Sequence, residues 1–235
     1  MANTVNALNK KITLEQALSY MEDGMTIMFG GFGGVGNPPS LIEGMLQKGL
    51  KNLTLIGNDA GFPHIGVGKL VSEGRVKKLI ASHIGSNPVA GKLMTEGKLE
   101  VEFSPQGTLA ERIRAGGVGL GGILVDSGIG NPFVEKGKEK VIVNGKTFLL
   151  ETPLTADIAI VCGHTADHFG NLTYNTSARN TNPLVSMAGR VTIAEVDQIV
   201  ETGALSPEEI VTPGVFVNAV VQSEGVNWKW AWEEK

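Results

Sequence analysis

The segment Phe29-Gly30-Gly31-Phe32-Gly33-Gly34-Val35-Gly36-Asn37-Pro38-Pro39 offers chemistry through its backbone rather than its side chains. Glycines let a chain turn sharply and bring amide N–H groups close to a ligand. Gly31 to Gly36 matches the G-x-G-x-x-G pattern of dinucleotide-binding folds, and Asp59 ends the next apolar run, so a nicotinamide-dependent oxidoreductase is one reading. The prolines oppose it. In those folds the third glycine already lies inside the helix, whereas proline is tolerated only around the first helical turn. The helix must therefore begin after Gly36, which leaves every glycine in an open loop.

Other reactive residue types are isolated. Cys162 follows an apolar run and reads as a packed core residue rather than a nucleophile. His83 ends another such run and reads as structural. His164 and His168 stand four apart, but Gly163 and Gly170 flank them and no third ligand is evident, so a loop is expected there and no metal site.

The elements that must position these residues follow from periodicity. Thr13-Leu14-Glu15-Gln16 reads as a capping box, and Leu14, Ala17, Leu18 and Met21 share one helical face. Residues 25–29 form an apolar run of strand length, and residues 38–47 return to helical spacing. Further strands are expected at 53–56, 78–81, 101–103, 123–125 and 158–161, with helices near 68–73, 88–96 and 108–114 between them. Runs that are apolar on both faces suit a parallel sheet covered by helices. The alternation predicts an α/β fold with a doubly wound, open and mostly parallel sheet. Asn144-Gly145 between two β-rich runs is the strongest hairpin signal and predicts a small antiparallel insertion. Late strands are expected at 191–194 and 215–221. No internal repeat or linker stands out, so a single domain is expected over residues 1–222, followed by a tryptophan-rich tail over 223–235.

Composition agrees. The chain is 42% apolar and only 6% aromatic, so its core must come from Val, Ile, Leu, Ala and Met. A net charge of −4 without basic blocks argues against nucleic acid as the main partner. The single cysteine excludes an internal disulfide and fits a reducing compartment. The N-terminus lacks the apolar core of a signal peptide, and no run approaches membrane-spanning length, so a cytoplasmic protein is expected.

One long pattern is more specific than any of these signals. Asp23-Gly24-Met25-Thr26-Ile27-Met28-Phe29-Gly30-Gly31-Phe32, followed by Gly36 and Pro38, resembles the signature of family I CoA-transferase alpha subunits. The segments Gly57-Asn58-Asp59-Ala60-Gly61, Ala81-Ser82-His83-Ile84-Gly85 and Ser104-Pro105-Gln106-Gly107-Thr108-Leu109-Ala110-Glu111-Arg112-Ile113-Arg114 extend the resemblance. Thr176-Ser177-Ala178-Arg179-Asn180-Thr181-Asn182-Pro183 and Val211-Thr212-Pro213-Gly214 complete it.

That resemblance implies a fold shared with sugar-phosphate isomerases, coenzyme A as a substrate, no metal, and a beta-subunit partner in a two-alpha, two-beta assembly. It also implies a ping-pong reaction on short-chain acyl-CoA and acids of the acetoacetate, acetate or butyrate class. The nucleophilic glutamate sits in a Ser-Glu-Asn-Gly segment of the beta subunit. This chain has none: Ser72-Glu73-Gly74 and Ser223-Glu224-Gly225 lack the asparagine and read as a helix end and a polar tail. What remains for the alpha chain is the rest of the pocket. Gly30, Gly31, Phe32, Gly33, Gly34, Val35 and Gly36 would face coenzyme A through backbone amides. Asn58 would hydrogen-bond the acyl carboxyl group or an oxyanion, and Gln106 would orient the partner's glutamate or the acyl carbonyl. Arg112 and Arg114 could meet phosphates of coenzyme A, although helix-surface ion pairs suit them as well.

The chain departs from the pattern at Val125-Asp126-Ser127-Gly128 and at Thr181. Its ending is also unusual. Trp228, Trp230 and Trp232 alternate as on one face of a strand and are expected to dock onto this chain or a partner. A non-catalytic, ligand-sensing α/β module is the remaining alternative, and the long match from Asn58 through Arg114 speaks against it.

Overall fold

The computed structural model describes residues 8–230 and Glu233. Helix α1 (Leu14–Leu18) opens with the expected capping box: Thr13 Oγ1 accepts from the Gln16 N–H, and the Thr13 N–H donates to Gln16 Oε1 at 2.9 Å. Then follow β1 (Thr26–Phe29), α2 (Pro39–Gln47), β2 (Leu53–Ile56), α3 (Gly68–Ser72), β3 (Val76–Ala81), α4 (Pro88–Thr95), β4 (Glu100–Phe103) and α5 (Gln106–Val118). After an excursion described below, β8 (Ala156–Asp167), α7 (Asn182–Ala188), β9 (Gly189–Val200) and β10 (Ala219–Gln222) complete the main sheet.

Its seven strands lie in the order β10-β9-β8-β1-β2-β3-β4, and every pairing is parallel. The two-residue period explains why the strand sequences are apolar throughout. Ile27 and Phe29 join one buried cluster with Leu41, Ile42 and Met45 of α2, whereas Met28 between them joins another with Leu109, Ile113 and Val185 of α5 and α7. Helices therefore cover both faces. Strand order runs outward in both directions from the β1/β8 pair. In open parallel sheets, such a reversal opens a crevice at the carboxyl ends of the strands.

The excursion is larger than a hairpin. β6 (Lys140–Val143) and β7 (Lys146–Glu151) pair antiparallel around Asn144-Gly145, whose φ values of +51° and +76° suit a type I′ turn. β5 (Ile123–Val125), expected in the main sheet, instead pairs with β7, giving a separate three-stranded sheet beside α6 (Pro132–Glu135). Its three residues are partly exposed and cannot serve as a strand buried on both faces. Three further expectations change. Residues 214–216 are a 3-10 turn, so the last strand starts only at Ala219. His164 lies on β8, bonded to Asp197, so it is neither helical nor in a loop. Residues 223–230 contain no strand; Trp232 falls outside the described residues. Among the described residues no helix is long and apolar enough to cross a membrane.

Candidate active site

Four loops meet at the carboxyl edge of the sheet, after β1, β2, β3 and β4. The glycine loop leaves β1 at Gly30, and α2 starts at Pro39, so all its glycines precede the helix as the prolines required. Phe32 and Val35 pair across the Gly33-Gly34 tip, where φ is +56° and +93°. Only glycine adopts such a tip without strain.

A second loop repeats the first. Gly61-Phe62-Pro63-His64-Ile65-Gly66 follows β2 thirty residues after Gly31-Phe32-Gly33-Gly34-Val35-Gly36, and Phe62 pairs with Ile65 just as Phe32 pairs with Val35. No internal repeat was expected, yet this one is legible as G-F-x-x-[VI]-G once both copies are aligned. The two loops pack together: a Cβ on Gly34 would lie 2.3 Å from the Ile65 side chain. Asn37 ties them, donating to Gly30 O at 2.7 Å and accepting from the Val67 N–H at 3.1 Å.

Asp59 is the hub of the site. One carboxylate oxygen accepts from the Gly61 N–H at 2.7 Å; the other accepts from the Gly33 N–H at 2.9 Å and from Asn58 Nδ2 at 2.8 Å. Asn58 Oδ1 in turn accepts from Gln106 Nε2 at 2.8 Å. Asn58 and Asp59 are each only 2% exposed, whereas Gln106, on the first turn of α5, is exposed. Loop tip, carboxylate and two amides thus form one chain of hydrogen bonds that reaches solvent at Gln106. In the sequence Asp59 supported the dinucleotide reading and stood in one family segment with no role assigned; its partners are the Asn58 amide and backbone amides of both glycine loops.

The structure brings Asn58 and Gln106 together but restricts the glycine loop. The N–H groups of Gly31, Phe32, Gly33 and Val35 already donate within the chain, to Asn180 and Thr181, Val35 O, Asp59 and Phe32 O. Gly30 donates to Ile160 O. Only the Gly34 and Gly36 amides lack an acceptor among the described residues. Phe32 is 49% exposed, and its ring stands 6.2 Å from that of His83, just past the end of β3.

Two asparagines that the sequence did not single out hold the loop from behind. Asn180 Nδ2 donates to Val35 O, and Asn182 Nδ2 donates to Gly36 O at 3.0 Å while its Oδ1 accepts from the Cys162 N–H. Their signal was present in the Asn180-Thr181-Asn182 segment, whose spacing alone does not reveal what it grips. Of the departures, Thr181 touches this loop through the Gly31 N–H, whereas Asp126 pairs with Lys146 on the small sheet, away from it.

Arg112, expected on a helix surface, is instead buried and bonds Glu102 at 2.9 Å, with Glu151 at 3.6 Å. Only Arg114 makes the surface pair, with Glu111. Burial pushes the Cys162 thiol well above its usual range, aided by the charges of Glu195 and Asp197. It is a poor nucleophile there. Among the described residues no group of three His, Cys, Asp or Glu side chains could hold a metal ion.

Known proteins share this architecture. A probable coenzyme A transferase subunit alpha of Bacillus subtilis is 63% identical over 95% of this chain and 98% of its own length. The acetate CoA-transferase subunit alpha of Escherichia coli K12 is 50% identical over 92% of this chain and 97% of its own. The fold is also that of an acyl-CoA transferase of Escherichia coli O157:H7, solved as a thioester complex with CoA, at a TM-score of 0.81 and 24% identity. That match covers 93% of this chain but 48% of the solved one, so this chain spans about half of that protein. The family model for coenzyme A transferases matches residues 11–223, and the chain belongs to that family.

Proposed function

We propose that this chain is the alpha subunit of a CoA-transferase that moves coenzyme A between a short-chain acyl-CoA and a carboxylic acid. Its partner is a beta subunit, in a two-alpha, two-beta assembly in the cytoplasm. The observation that carries the reading is the Asp59–Asn58–Gln106 relay, which ends in an exposed amide at the carboxyl edge, in a chain without the Ser-Glu-Asn-Gly segment that would carry the glutamate. A site that holds a preorganised donor and lacks a nucleophile is half a site.

The chemistry then divides between the subunits. A glutamate of the beta subunit attacks the thioester carbonyl, and the acyl-glutamyl anhydride forms as CoA thiolate leaves. The thiolate attacks the glutamyl carbonyl of the anhydride, releasing the first acid and leaving a glutamyl-CoA thioester. The acceptor acid runs the same steps in reverse. Each attack puts negative charge on a carbonyl oxygen, and a fixed donor that meets it lowers the barrier. Gln106 has one N–H and its Oε1 uncommitted, so it can meet that oxygen or orient the glutamate. Asn58 is buried and acts through Gln106, which makes it a positioning residue. The Gly34 and Gly36 amides and the exposed face of Phe32 border the path for the CoA chain.

The test is mass spectrometry of the two-subunit enzyme incubated with acyl-CoA and no acceptor acid. The beta subunit should gain the mass of CoA through a thioester, the alpha chain should stay unshifted, and added acetate or acetoacetate should remove the adduct. An adduct on the alpha chain would refute the split site.

A further inference from the structure

The tail beyond Gln222 lies almost wholly outside the family match, which ends at residue 223, yet it is seated on the glycine loops. Ser223 Oγ donates to buried Glu195 at 2.6 Å, and the Glu224 N–H donates to Ser40 Oγ on the first turn of α2. Asn227 bridges the two helices that follow the two loops. Its Nδ2 donates to Glu43 of α2 at 3.2 Å, and its Oδ1 accepts from Lys69 of α3 at 3.0 Å. Lys69 also sits over the Trp228 ring, 5.5 Å from its centroid, and Trp228 meets Trp230 edge to face at 5.8 Å. The chain of contacts ends at the loop tip: a Cβ on Gly34 would stand 3.2 Å from the six-membered ring of Trp230.

We infer that residues 223–230 are a strap that sets the glycine-loop tip, with Trp230 as a positioning residue for acyl-CoA. Gly34 is buried beneath the Ile65 and Trp230 side chains; its carbonyl accepts from the Asn37 N–H at 3.1 Å, and its own N–H has no acceptor among the described residues. An aromatic ring packed on its α-carbon fixes the direction of that amide and forms one wall beside it. The strap's seat is not fully satisfied, because the Trp228 indole N–H is enclosed without an acceptor among the described residues. A seat with an unmet donor is weaker than one without, so the strap can respond to what binds at the tip. The inference rests on the proposed role of the loop toward coenzyme A.

A ping-pong enzyme reports its two substrates separately, which makes the test selective. In the two-subunit enzyme, truncation after Gly225 or the substitution Trp230→Ala should raise the KM for acyl-CoA roughly five- to tenfold. The KM for the acid should stay within about twofold, and kcat should fall by less than the acyl-CoA KM rises, because Asn58 and the Gly61 amide still hold Asp59 in the relay to Gln106. Trp230→Phe, which keeps a ring against Gly34, should restore the acyl-CoA KM. All three tryptophans of the chain lie in this tail, so the difference in emission between the intact and the truncated enzyme isolates the tail. CoA should shift that emission. An acyl-CoA KM unchanged in both the truncated and the Trp230→Ala enzymes would overturn the strap while leaving transferase activity standing. An intact enzyme that neither binds CoA nor transfers it would bring down the functional reading and the strap with it.

Discussion

Two polar constructions stand on opposite sides of β4, and they are built on opposite principles. At the carboxyl edge, Asn58, Gln106 and the glycine backbones surround a single carboxylate, Asp59, with neutral donors. Beside the strand, a cleft of about 650 Å³ separates β4 from the small sheet and is crowded with charge, including Glu100, Glu102, Arg112, Lys138 and Glu151. None of Asn58, Asp59 and Gln106 lines this cleft. Its charges already answer one another: Arg112 holds Glu102 and Glu151, Lys138 holds Glu151, and Lys78 holds Glu100 and Glu102. Neutral amides suit an oxygen that is charged only in passing, because a fixed cation would bind the acid itself as tightly as the transition state. The charged cleft reads as a seam that fastens the three-stranded sheet to the main body.

The sharpest way to break this contrast is at Arg112. Its side chain is 4% exposed and Glu151 is 1% exposed, so removing the guanidinium strands a buried carboxylate. Arg112→Met should destabilise the chain by about 3–5 kcal/mol, measured by denaturant unfolding. At a temperature where the variant stays folded, its kcat in the assembled enzyme should lie near wild type. A large kcat defect in folded Arg112→Met enzyme would place the charged cleft in the chemistry.

The amide relay should behave the other way round. Gln106→Ala removes an exposed side chain, so it should leave unfolding unchanged within about 0.5 kcal/mol. It should lower kcat by about 10²–10³-fold, as loss of a preorganised donor does. Asn58→Ala should lower kcat comparably and also cost stability, because it leaves Gln106 unheld and Asp59 short of one donor. Equal losses of stability in the two variants would show that the relay is scaffolding rather than a site.

The same contrast explains what could be read from sequence. The main sheet was legible because its strands are apolar on both faces and its helices carry caps and prolines; Thr13, Pro38 and Pro39 mark their boundaries directly. β5 misled because Ile123-Leu124-Val125 is as apolar as a central strand, and only pairing with β7 reveals which sheet it joins. Asn58 and Gln106 were singled out through family resemblance, whereas the carboxylate that anchors Asn58 was not. Asp59 sits beside Asn58 in the chain, but its role depends on Gly33, brought to it from the preceding loop. Arg112 misled for a similar reason: helical spacing placed it on a surface that the small sheet then covers.

Acid and base titrations separate the seam from a second buried glutamate near the loops. Burial raises the Glu102 carboxyl, but Arg112 and Lys78 more than offset it, leaving it below the ordinary 4.5. A depressed carboxylate contributes stability above its unfolded value, and that contribution is lost as pH falls through the folded value. Glu195 lies the other way. Burial pushes it above 4.5 despite donors from Ser40, Leu41 and Ser223. Its contribution is complete at low pH and is lost as pH rises through the raised value. Stability measured against pH should therefore lose part of its acid limb in Glu102→Gln and be relieved on the alkaline side of pH 4.5 in Glu195→Gln. Identical profiles for the two variants would contradict the opposite shifts.

The smallest expected effect concerns the one thiol near the loop. The Cys162 N–H is held by Asn182, the residue that also grips Gly36, so a reactive thiol there would turn the neutral site into a nucleophilic one. Burial, with Glu195 and Asp197 nearby, disfavours the thiolate. Alkylation by iodoacetamide at pH 8 should be slow in the folded chain and fast once it is unfolded. Cys162→Ala should keep kcat within about twofold, because no step of acyl transfer passes through the sulfur. Rapid labelling of folded enzyme with matching loss of activity would move the nucleophile onto this chain and erase the division between its amides and the partner's glutamate.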